Sequence, residues 1–372
     1  MGEKSDFASA GGFSGKIWRE GKFTHREFHI RDGKIQSGRR EPVVQADYII
    51  PPFTDPHIHG GWGWDFQKGH FAELEKQLIR EGIFCAVPAL DNNSFENLQS
   101  AAEKFVQYKH GHPGSIYPFL RAEGPFIHPS KRGFQKSRWI QTVSPESMER
   151  LLGIPSLRMI TFAPELPGSG KLVKRAFESG IIPSAGHSRA SYEEFLQVYR
   201  MGVRHMTHFP NAMSGFHHRE IGLTGAGLLL DKLQLEIIGD GIHTCRQFLS
   251  LLRKDRTHSL ALVSDMIPPA FSRQVRFDGR KLIRKGDRIT TQRGILAGGA
   301  TPVSKQAARL FEWGWAPENL VRTACENARI FMGLKPPSLE EGNPADFLIM
   351  DEKMKLKAVY KQGRCIAGEK ND

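Results

Sequence analysis

The chain has 372 residues, of which 39% are hydrophobic and 25% charged, a composition typical of a folded globular protein rather than a disordered one. It contains no apolar run near the length of about 18 residues that a membrane span needs, and its polar start lacks a secretory signal, so we expect a cytoplasmic protein without a membrane partner. The net charge of +12 fits either a solvated basic surface or a field that attracts an anionic substrate. No nucleic-acid partner is expected, because the basic residues are dispersed and form no recognition motif.

In chain order, residues 13–50 contain short strand-like pieces separated by turn signals. From about residue 50 to residue 266 the pattern changes, and short apolar runs alternate with amphipathic segments. In one such segment Phe95, Leu98, Ala102 and Phe105 recur at steps of three and four residues. That spacing aligns them on one face of a helix, so the middle of the chain is predicted to alternate strands with helices.

Eight segments of this middle region have the length and composition of buried strands: 49–59, 84–90, 116–123, 158–165, 181–187, 205–211, 234–243 and 260–265. Eight strands that alternate with helices predict an α/β fold, a (β/α)8 TIM-type barrel over residues 51–334. An open doubly wound sheet is the competing fold. The barrel is favoured because no G-x-G-x-x-G follows the first strand.

The end of the chain returns to the pattern of its beginning, with short strand-like pieces over residues 345–367. Strands at both ends of a chain that flank a barrel can pair with each other. We therefore predict a small β-sandwich domain built from residues 1–50 and 335–372.

The first chemical signal is the stretch Asp55-Pro56-His57-Ile58-His59 in the first predicted barrel strand. Side chains two residues apart on a strand point to the same side, so both imidazoles can aim at one point at the rim of the barrel. Imidazole nitrogens are ligands of zinc and similar metals. Alone, an H-x-H pair is a weak indication of a metal.

Four further polar residues lie at or near the ends of other predicted strands, namely Glu123, His187, His208 and Asp265. Each has an ordinary structural explanation, since a buried histidine often binds a carbonyl and a strand-end carboxylate often caps a helix. In a barrel, however, the carboxyl ends of all the strands meet at one rim. Together with the histidine pair, these residues predict a divalent-metal site there.

The sequence resembles the N-acetylglucosamine-6-phosphate deacetylases of the amidohydrolase superfamily. The resemblance covers nearly the whole chain and is weakest before Ile49. It rests on the motifs HIHG 57–60, EGPF 123–126, APE 163–165, GHS 186–188, THFPNAM 207–213, HHRE 217–220, DGIH 240–243, SD 264–265, LAG 296–298 and GNPAD 342–346. H-x-H occurs across the superfamily, whereas the N-A-M and H-H-R-E stretches are more specific to the deacetylases.

The resemblance implies that Glu123, His187 and His208 hold a divalent metal. His57 and His59 would add a second, adjacent metal position, so one or two ions are expected. Zinc is the first expectation, with iron, manganese and cobalt as alternatives. Asp265 would be the general base and then the general acid.

The implied reaction removes acetate from N-acetylglucosamine 6-phosphate and leaves glucosamine 6-phosphate. The residues implied to contact this anionic amino-sugar phosphate are Asn211, Ala212, Arg219, His243, Leu296, Ala297 and Gly298. The arginine at position 219 would reach the phosphate across a dimer interface, which implies a homodimer. An ordinary surface salt bridge is the alternative role for this arginine.

The sequence departs from the family at two places. After residues 131–133 the family usually has a small residue and then a histidine that polarises the acetyl carbonyl, whereas here Phe134 and Gln135 take the substrate-contacting positions. Glutamine can donate a hydrogen bond but carries no charge, and His128 is the nearby alternative donor. Arg121 replaces the histidine that usually lies two residues before the metal-binding glutamate. We expect the arginine and the phenylalanine to reshape the sugar pocket or to shift the substrate to a related amino sugar.

Three alternatives to the main function stay open at this point. The first is the galacto isomer as substrate, since nothing in the motifs separates the two sugars. The second is another amidohydrolase, such as a cyclic-amide hydrolase or a deaminase, acting on an unphosphorylated substrate. A non-catalytic scaffold that retains the barrel belongs to a different class, and the complete set of polar groups argues against it.

Overall fold

The computed structural model describes residues 11–273 and 275–368. Its contacts divide them into two compact units, one made of residues 11–54, 76–85 and 302–368 and the other of residues 55–75 and 86–301. None of the helices in the described part combines the length and apolar character that crossing a membrane requires. The domain boundaries predicted above, at residues 50 and 334, stay a prediction.

Strands of the described residues are numbered here in chain order. They are β1 (Gly12–Arg19), β2 (Lys22–Arg31), β3 (Lys34–Ser37), β4 (Val43–Ile50), β5 (Phe53–Ile58), β6 (Gly60–Gly61), β7 (Trp64–Asp65), β8 (Ile83–Asp91), β9 (Leu120–Glu123), β10 (Leu157–Phe162), β11 (Ile182–Ala185), β12 (His205–Met206), β13 (Gln234–Ile237), β14 (Leu260–Leu262), β15 (Arg276–Phe277), β16 (Arg280–Lys281), β17 (Ile283–Lys285), β18 (Arg288–Thr290), β19 (Leu296–Gly298), β20 (Phe347–Met350), β21 (Leu356–Lys361) and β22 (Arg364–Gly368).

The α-helices of the described residues are numbered in the same way. They are α1 (Phe71–Arg80), α2 (Phe95–Gly111), α3 (Pro145–Leu152), α4 (Ser169–Glu178), α5 (Tyr192–Arg200), α6 (Gly222–Leu229), α7 (Arg246–Asp255), α8 (Val303–Glu312), α9 (Pro317–Val321) and α10 (Asn327–Phe331). A π-helical turn over Arg322–Glu326 joins α9 to α10.

Within the described residues, an eight-stranded sheet runs in the order β5, β8, β9, β10, β11, β12, β13, β14. The pairs from β8 to β14 are parallel, as expected when a helix connects each strand to the next. The amide of Asp265, just beyond β14, donates to the carbonyl of His57 in β5 at 2.9 Å and so joins the two ends of the sheet. The predicted (β/α)8 barrel is confirmed.

Several predicted strand boundaries were wrong: the segments predicted as 205–211 and 234–243, for example, are strands only as far as Met206 and Ile237. The predicted strand 49–59 is two strands, because Pro51 and Pro52 cannot donate to a ladder and separate β4 from β5. Helix α2 is capped by Ser94, whose hydroxyl accepts from the Asn97 amide.

The terminal strands form a sheet of their own. Across the described residues it has seven strands in the order β22, β21, β20, β4, β1, β2, β3, and β20 pairs with β4 in antiparallel orientation. Its core is aromatic: the ring of Phe347 lies 4.9 Å from that of Phe13 and 4.5 Å from that of Tyr360. The predicted pairing of the two chain ends is confirmed. The pairing buries the alternating apolar residues that both ends of the chain carry.

Candidate active site

The polar residues predicted from strand ends lie just where the backbone leaves the barrel strands. His187 and His208 each follow their strand by two residues, and Asp265 follows β14 by three. All three have a left-handed backbone, with φ of 47°, 35° and 48°. Residues other than glycine seldom adopt this backbone conformation, and where they do, the position is often part of a functional site. The sharp turn at the strand end brings these side chains together at the mouth of the barrel.

One cluster of metal-binding atoms is formed by Glu123, His187 and His208, which are all buried. Glu123 Oε1 lies 2.7 Å from His208 Nε2 and 3.0 Å from His187 Nε2. The two Nε2 atoms are 3.1 Å apart. Three separate strands therefore deliver their donor atoms to one point.

A second cluster shares the same glutamate. His57 Nε2 lies 3.1 Å from His59 Nε2, and His59 Nε2 lies 3.3 Å from Glu123 Oε2. The ligand atoms of His57, His59 and Glu123 lie within 4.8 Å of one another. The two clusters are adjacent, with the Glu123 carboxylate between them.

Hydrogen bonding at His187 tests whether these groups suit a metal. Its Nδ1 donates to the carbonyl oxygen of Lys131 at 2.7 Å, because a carbonyl only accepts. The other ring nitrogen, Nε2, faces the Glu123 carboxylate at 3.0 Å. With Nδ1 bonded in this way, Nε2 is the ring nitrogen that is oriented to bind a metal beside that carboxylate. The imidazole and carboxylate donors fit a divalent metal.

The Nδ1 atoms of the histidine pair face carboxylates that the sequence interpretation missed. His59 Nδ1 lies 3.2 Å from Asp91 Oδ1, and His57 Nδ1 lies 3.4 Å from Glu236 Oε2. Asp91 ends β8, so the strand-end rule that singled out Glu123 applies to it as well. Glu236 lies inside β13, where no sequence signal marks it.

The Asp265 carboxyl lies beside the histidine pair, with Oδ1 3.3 Å from His59 Nε2 and 3.6 Å from His57 Nε2. Burial acts to raise the pKa of Asp265, but the neighbouring His59 and His57 lower it to about 2. Asp265 is therefore a charged carboxylate and a proton acceptor at neutral pH. Burial also opposes ionisation of Glu123, and the surrounding imidazoles hold the pKa of that carboxyl well below its usual range.

A cavity of about 490 Å³ opens above these groups, a volume in the range of small-molecule sites. It brings together most of the residues predicted to contact a substrate: Phe134, Gln135, Asn211, Ala212, His243, Leu296, Ala297 and Gly298. Two basic residues that the sequence did not single out, Lys131 and Arg288, also line the cavity.

Arg219 is placed elsewhere. It is exposed and does not line this cavity, and its Nη1 lies 3.0 Å from the ring nitrogen Nε2 of His218. Within this chain, the structure does not bring Arg219 together with the other predicted substrate contacts.

Gln135 lines the cavity, yet its amide is already engaged. Its Nε2 donates to Glu123 Oε2 at 2.7 Å, and its Oε1 accepts from the amide of Asn92 at 2.9 Å. The alternative donor His128 does not line the cavity; its Nδ1 accepts from the Ser130 amide instead. The proposed replacement by His128 is therefore wrong.

Arg121 is also absent from the cavity wall. Its guanidinium is fully buried and binds Glu236 at 2.6 Å and the carbonyl of Pro56 at 2.8 Å. The expectation that Arg121 reshapes the sugar pocket is wrong, because the side chain contacts groups inside the barrel. Burial and the positive charge of Arg121 lower the pKa of His57 to about 4, so that imidazole is neutral.

Comparisons with known proteins agree with this geometry. The chain is similar to a crystal structure of N-acetylglucosamine-6-phosphate deacetylase from Thermotoga maritima, with 31% identity, a TM-score of 0.85, and 95% of this chain and 98% of that chain covered. N-acetylglucosamine-6-phosphate deacetylase of Bacillus subtilis (strain 168) is 28% identical, over 86% of this chain and 87% of the relative. N-acetylgalactosamine-6-phosphate deacetylase of Escherichia coli O157:H7 is 25% identical, over 94% and 96%. No protein-family model matches the chain.

Proposed function

Because this chain belongs to the N-acetylglucosamine-6-phosphate deacetylase family of the amidohydrolase superfamily, we propose that it hydrolyses the acetyl amide of N-acetylglucosamine 6-phosphate to glucosamine 6-phosphate and acetate. The observation that carries the proposal is the meeting of Glu123, His187, His208 and Asp265 at the mouth of one cavity. The net charge of +12 favours a phosphorylated substrate. Such a charged substrate does not cross a bilayer unaided, so the enzyme has to lie in the compartment that holds it, which we propose is the cytoplasm.

Glu123, His187 and His208 would hold one divalent cation, and His57 and His59 with Glu123 would hold a second. Zinc is our first expectation, because imidazole and carboxylate are its usual ligands at catalytic sites. When bound, the cation supplies Lewis acidity, which makes water a stronger nucleophile at neutral pH and polarises the acetyl carbonyl.

Asp265 performs the proton transfers. Its ionised carboxylate accepts the proton of the attacking water and then delivers it to the nitrogen of the breaking amide bond. An amine leaves readily only when it is protonated, so the same carboxyl acts first as base and then as acid. Its contact with His59 holds the carboxylate at the mouth of the barrel.

His243 would bind the sugar phosphate. Its Nδ1 hydrogen bonds with Asp240 Oδ2 at 2.7 Å, and its buried Nε2 has no hydrogen-bond partner among the described residues. Burial acts to lower the pKa of His243, but Asp240 raises it above the usual value, which favours a proton on Nε2. Asn211, Ala212 and residues 296–298 would line the sugar, with Phe134 as part of the wall.

The proposal is tested by measuring acetate release from N-acetylglucosamine 6-phosphate, N-acetylgalactosamine 6-phosphate and their unphosphorylated forms. We expect release from the gluco phosphate, complete loss after chelation, and recovery when divalent metal is returned. The E. coli relative makes the galacto phosphate the second candidate substrate. Acetate release from neither phosphate with any metal contradicts the proposal and favours a cyclic-amide hydrolase or a non-catalytic scaffold.

The exposed position of Arg219 supports a homodimer in which this residue reaches the phosphate in the neighbouring chain's cavity. A hybrid of differently tagged Arg219→Ala and Asp265→Asn chains tests this. If Arg219 acts across the interface, the hybrid contains one complete site and regains activity that neither parent has. If the hybrid stays inactive, the arginine does not act in its partner's site.

A further inference from the structure

A buried ion pair crosses the interior of the barrel. Arg121 on β9 and Glu236 on β13 are both buried, with Nη1 and Oε1 2.6 Å apart, although the sheet places three other strands between their own. Removing two charges from water costs free energy that their attraction often fails to recover, so apolar residues of similar volume are commonly as stable. The pair therefore calls for an explanation other than stability.

Both members of the pair contact the chain at His57. The second oxygen of Glu236, Oε2, lies 3.4 Å from His57 Nδ1. Arg121 donates to the carbonyl of Pro56, the residue immediately before His57, at 2.8 Å. The ion pair thus fixes the backbone on one side of His57 and faces its ring from within the barrel.

A carboxylate at Nδ1 determines how the imidazole can be used. It favours the proton on Nδ1, which leaves the Nε2 lone pair free. In His57 that Nε2 points into the cluster with His59 and Glu123, at 3.1 Å from His59 Nε2. A guanidinium that neutralises the carboxylate allows it to remain charged in a closed interior.

We propose that Arg121 and Glu236 are positioning residues that hold His57 as a ligand of a second divalent cation. The pair touches neither substrate nor cation, and it sets the affinity of the His57–His59–Glu123 cluster. This inference rests on the proposed function, since it concerns the same metal-dependent site.

The effect should be confined to one of the two metal positions. His187 in the other cluster has its Nδ1 bonded to a main-chain carbonyl, which a side-chain substitution does not remove. Glu236 does reach that cluster, but only through the backbone amide of His208 at 3.4 Å. Loss of the pair should therefore weaken the second cation far more than the first.

The variant Arg121→Met/Glu236→Leu removes both charges together and leaves neither one buried without a partner. Calorimetric titration of metal-free protein with zinc should show two equivalents for the wild type. In the variant one equivalent should bind as before, and the other about 10–100-fold more weakly. Elemental analysis after dialysis should then find one zinc per chain rather than two, and thermal melting should show that the variant is folded.

Two further variants separate positioning from a merely structural role. Thr161→Val removes a hydroxyl that contacts Arg121 Nη2 at 3.4 Å without touching His57 or Glu236, and should retain two equivalents. Glu236→Gln keeps the shape and replaces the charged acceptor with a neutral one, so it should weaken only the second equivalent. It serves as the test if the double variant does not fold.

Two results overturn the inference while leaving the proposed function standing. One is an active wild-type enzyme that binds a single equivalent. The other is two equivalents of unchanged affinity in Arg121→Met/Glu236→Leu or, if that variant does not fold, in Glu236→Gln. A wild type that binds no metal and releases no acetate defeats the proposed function as well.

Discussion

The core of the terminal sheet and the metal-binding cluster at the barrel mouth both consist of buried side chains, but they are built from opposite kinds of residue. In the terminal sheet Phe13, Phe347 and Tyr360 pack ring against ring. At the barrel mouth Glu123 and the four neighbouring histidines are equally buried, yet all of them are polar. Burial stabilises the first group and penalises the second. The terminal core therefore stabilises the fold, whereas the barrel mouth holds buried polar groups that destabilise the fold but are needed for the reaction.

Among the substitutions that distinguish the two regions, Asp265→Asn should have the largest effect. The substitution keeps the shape of the side chain but removes the proton acceptor, so kcat should fall by about 10²–10⁴-fold. The melting temperature and bound metal should stay close to wild type. Acetate release and elemental analysis on one preparation measure both. Near-wild-type kcat in this variant removes Asp265 from the mechanism.

The opposite behaviour is expected for Phe347→Ala. This ring contacts three aromatic neighbours in the terminal core, and its loss leaves a cavity. Denaturant unfolding should show a free energy of unfolding lower by about 3–5 kcal/mol. The kcat of the molecules that remain folded should be unchanged. Phe216→Ala is the matched control, because Phe216 is 58% exposed and its loss should cost little stability.

Gln135 tests whether a neutral residue at the barrel mouth also acts through the metal-binding groups. Gln135→Glu should reduce kcat/KM more than Gln135→Ala does, because a carboxylate would face the Glu123 carboxylate now bonded at 2.7 Å. We expect a loss of about 10–100-fold for the alanine variant, as for other partners of metal ligands. Full activity in Gln135→Glu would show that the contact with Glu123 does not matter.

The smallest effect is expected for Ser191→Ala, which probes the start of a barrel helix and not a group of the candidate metal clusters. Ser191 forms a capping box with Glu194 at the start of α5. Its loss should lower the free energy of unfolding by about 1 kcal/mol without changing kcat. A fall in kcat would mean that the cap of α5 also helps to position groups of the active site.

Much of the fold and of the site could be predicted from the sequence, because both follow from local rules. The barrel strands are apolar runs, and the H-x-H spacing places His57 and His59 on one side of a strand. Glu123 was recognised because it ends a strand. The prediction placed the end of the second barrel strand at Leu90, and the strand-ending carboxylate of Asp91 was therefore missed.

Other features depend on packing that no local pattern records. Whether Arg121 faces the cavity or the inside of the barrel follows from where Glu236 lies, four strands away in the sheet. The exposed position of Arg219 also depends on the path of its loop and not on its motif. Residue type indicated the chemistry in both cases, and only tertiary structure could show the location.

The cavity wall at Phe134 is held by a segment outside the strand–helix repeat. In the β15–β16 hairpin, the Arg280 guanidinium stacks 3.4 Å from the centre of the Phe134 ring, and the Phe277 ring stacks on the same phenylalanine. Lys136, two residues after Phe134, pairs with Asp278 in the turn of the hairpin. None of these residues belongs to the candidate metal clusters. Substrate preference can therefore diverge by changes in one short hairpin while the hydrolytic machinery is inherited intact, which makes this hairpin the natural segment to exchange when specificity is engineered.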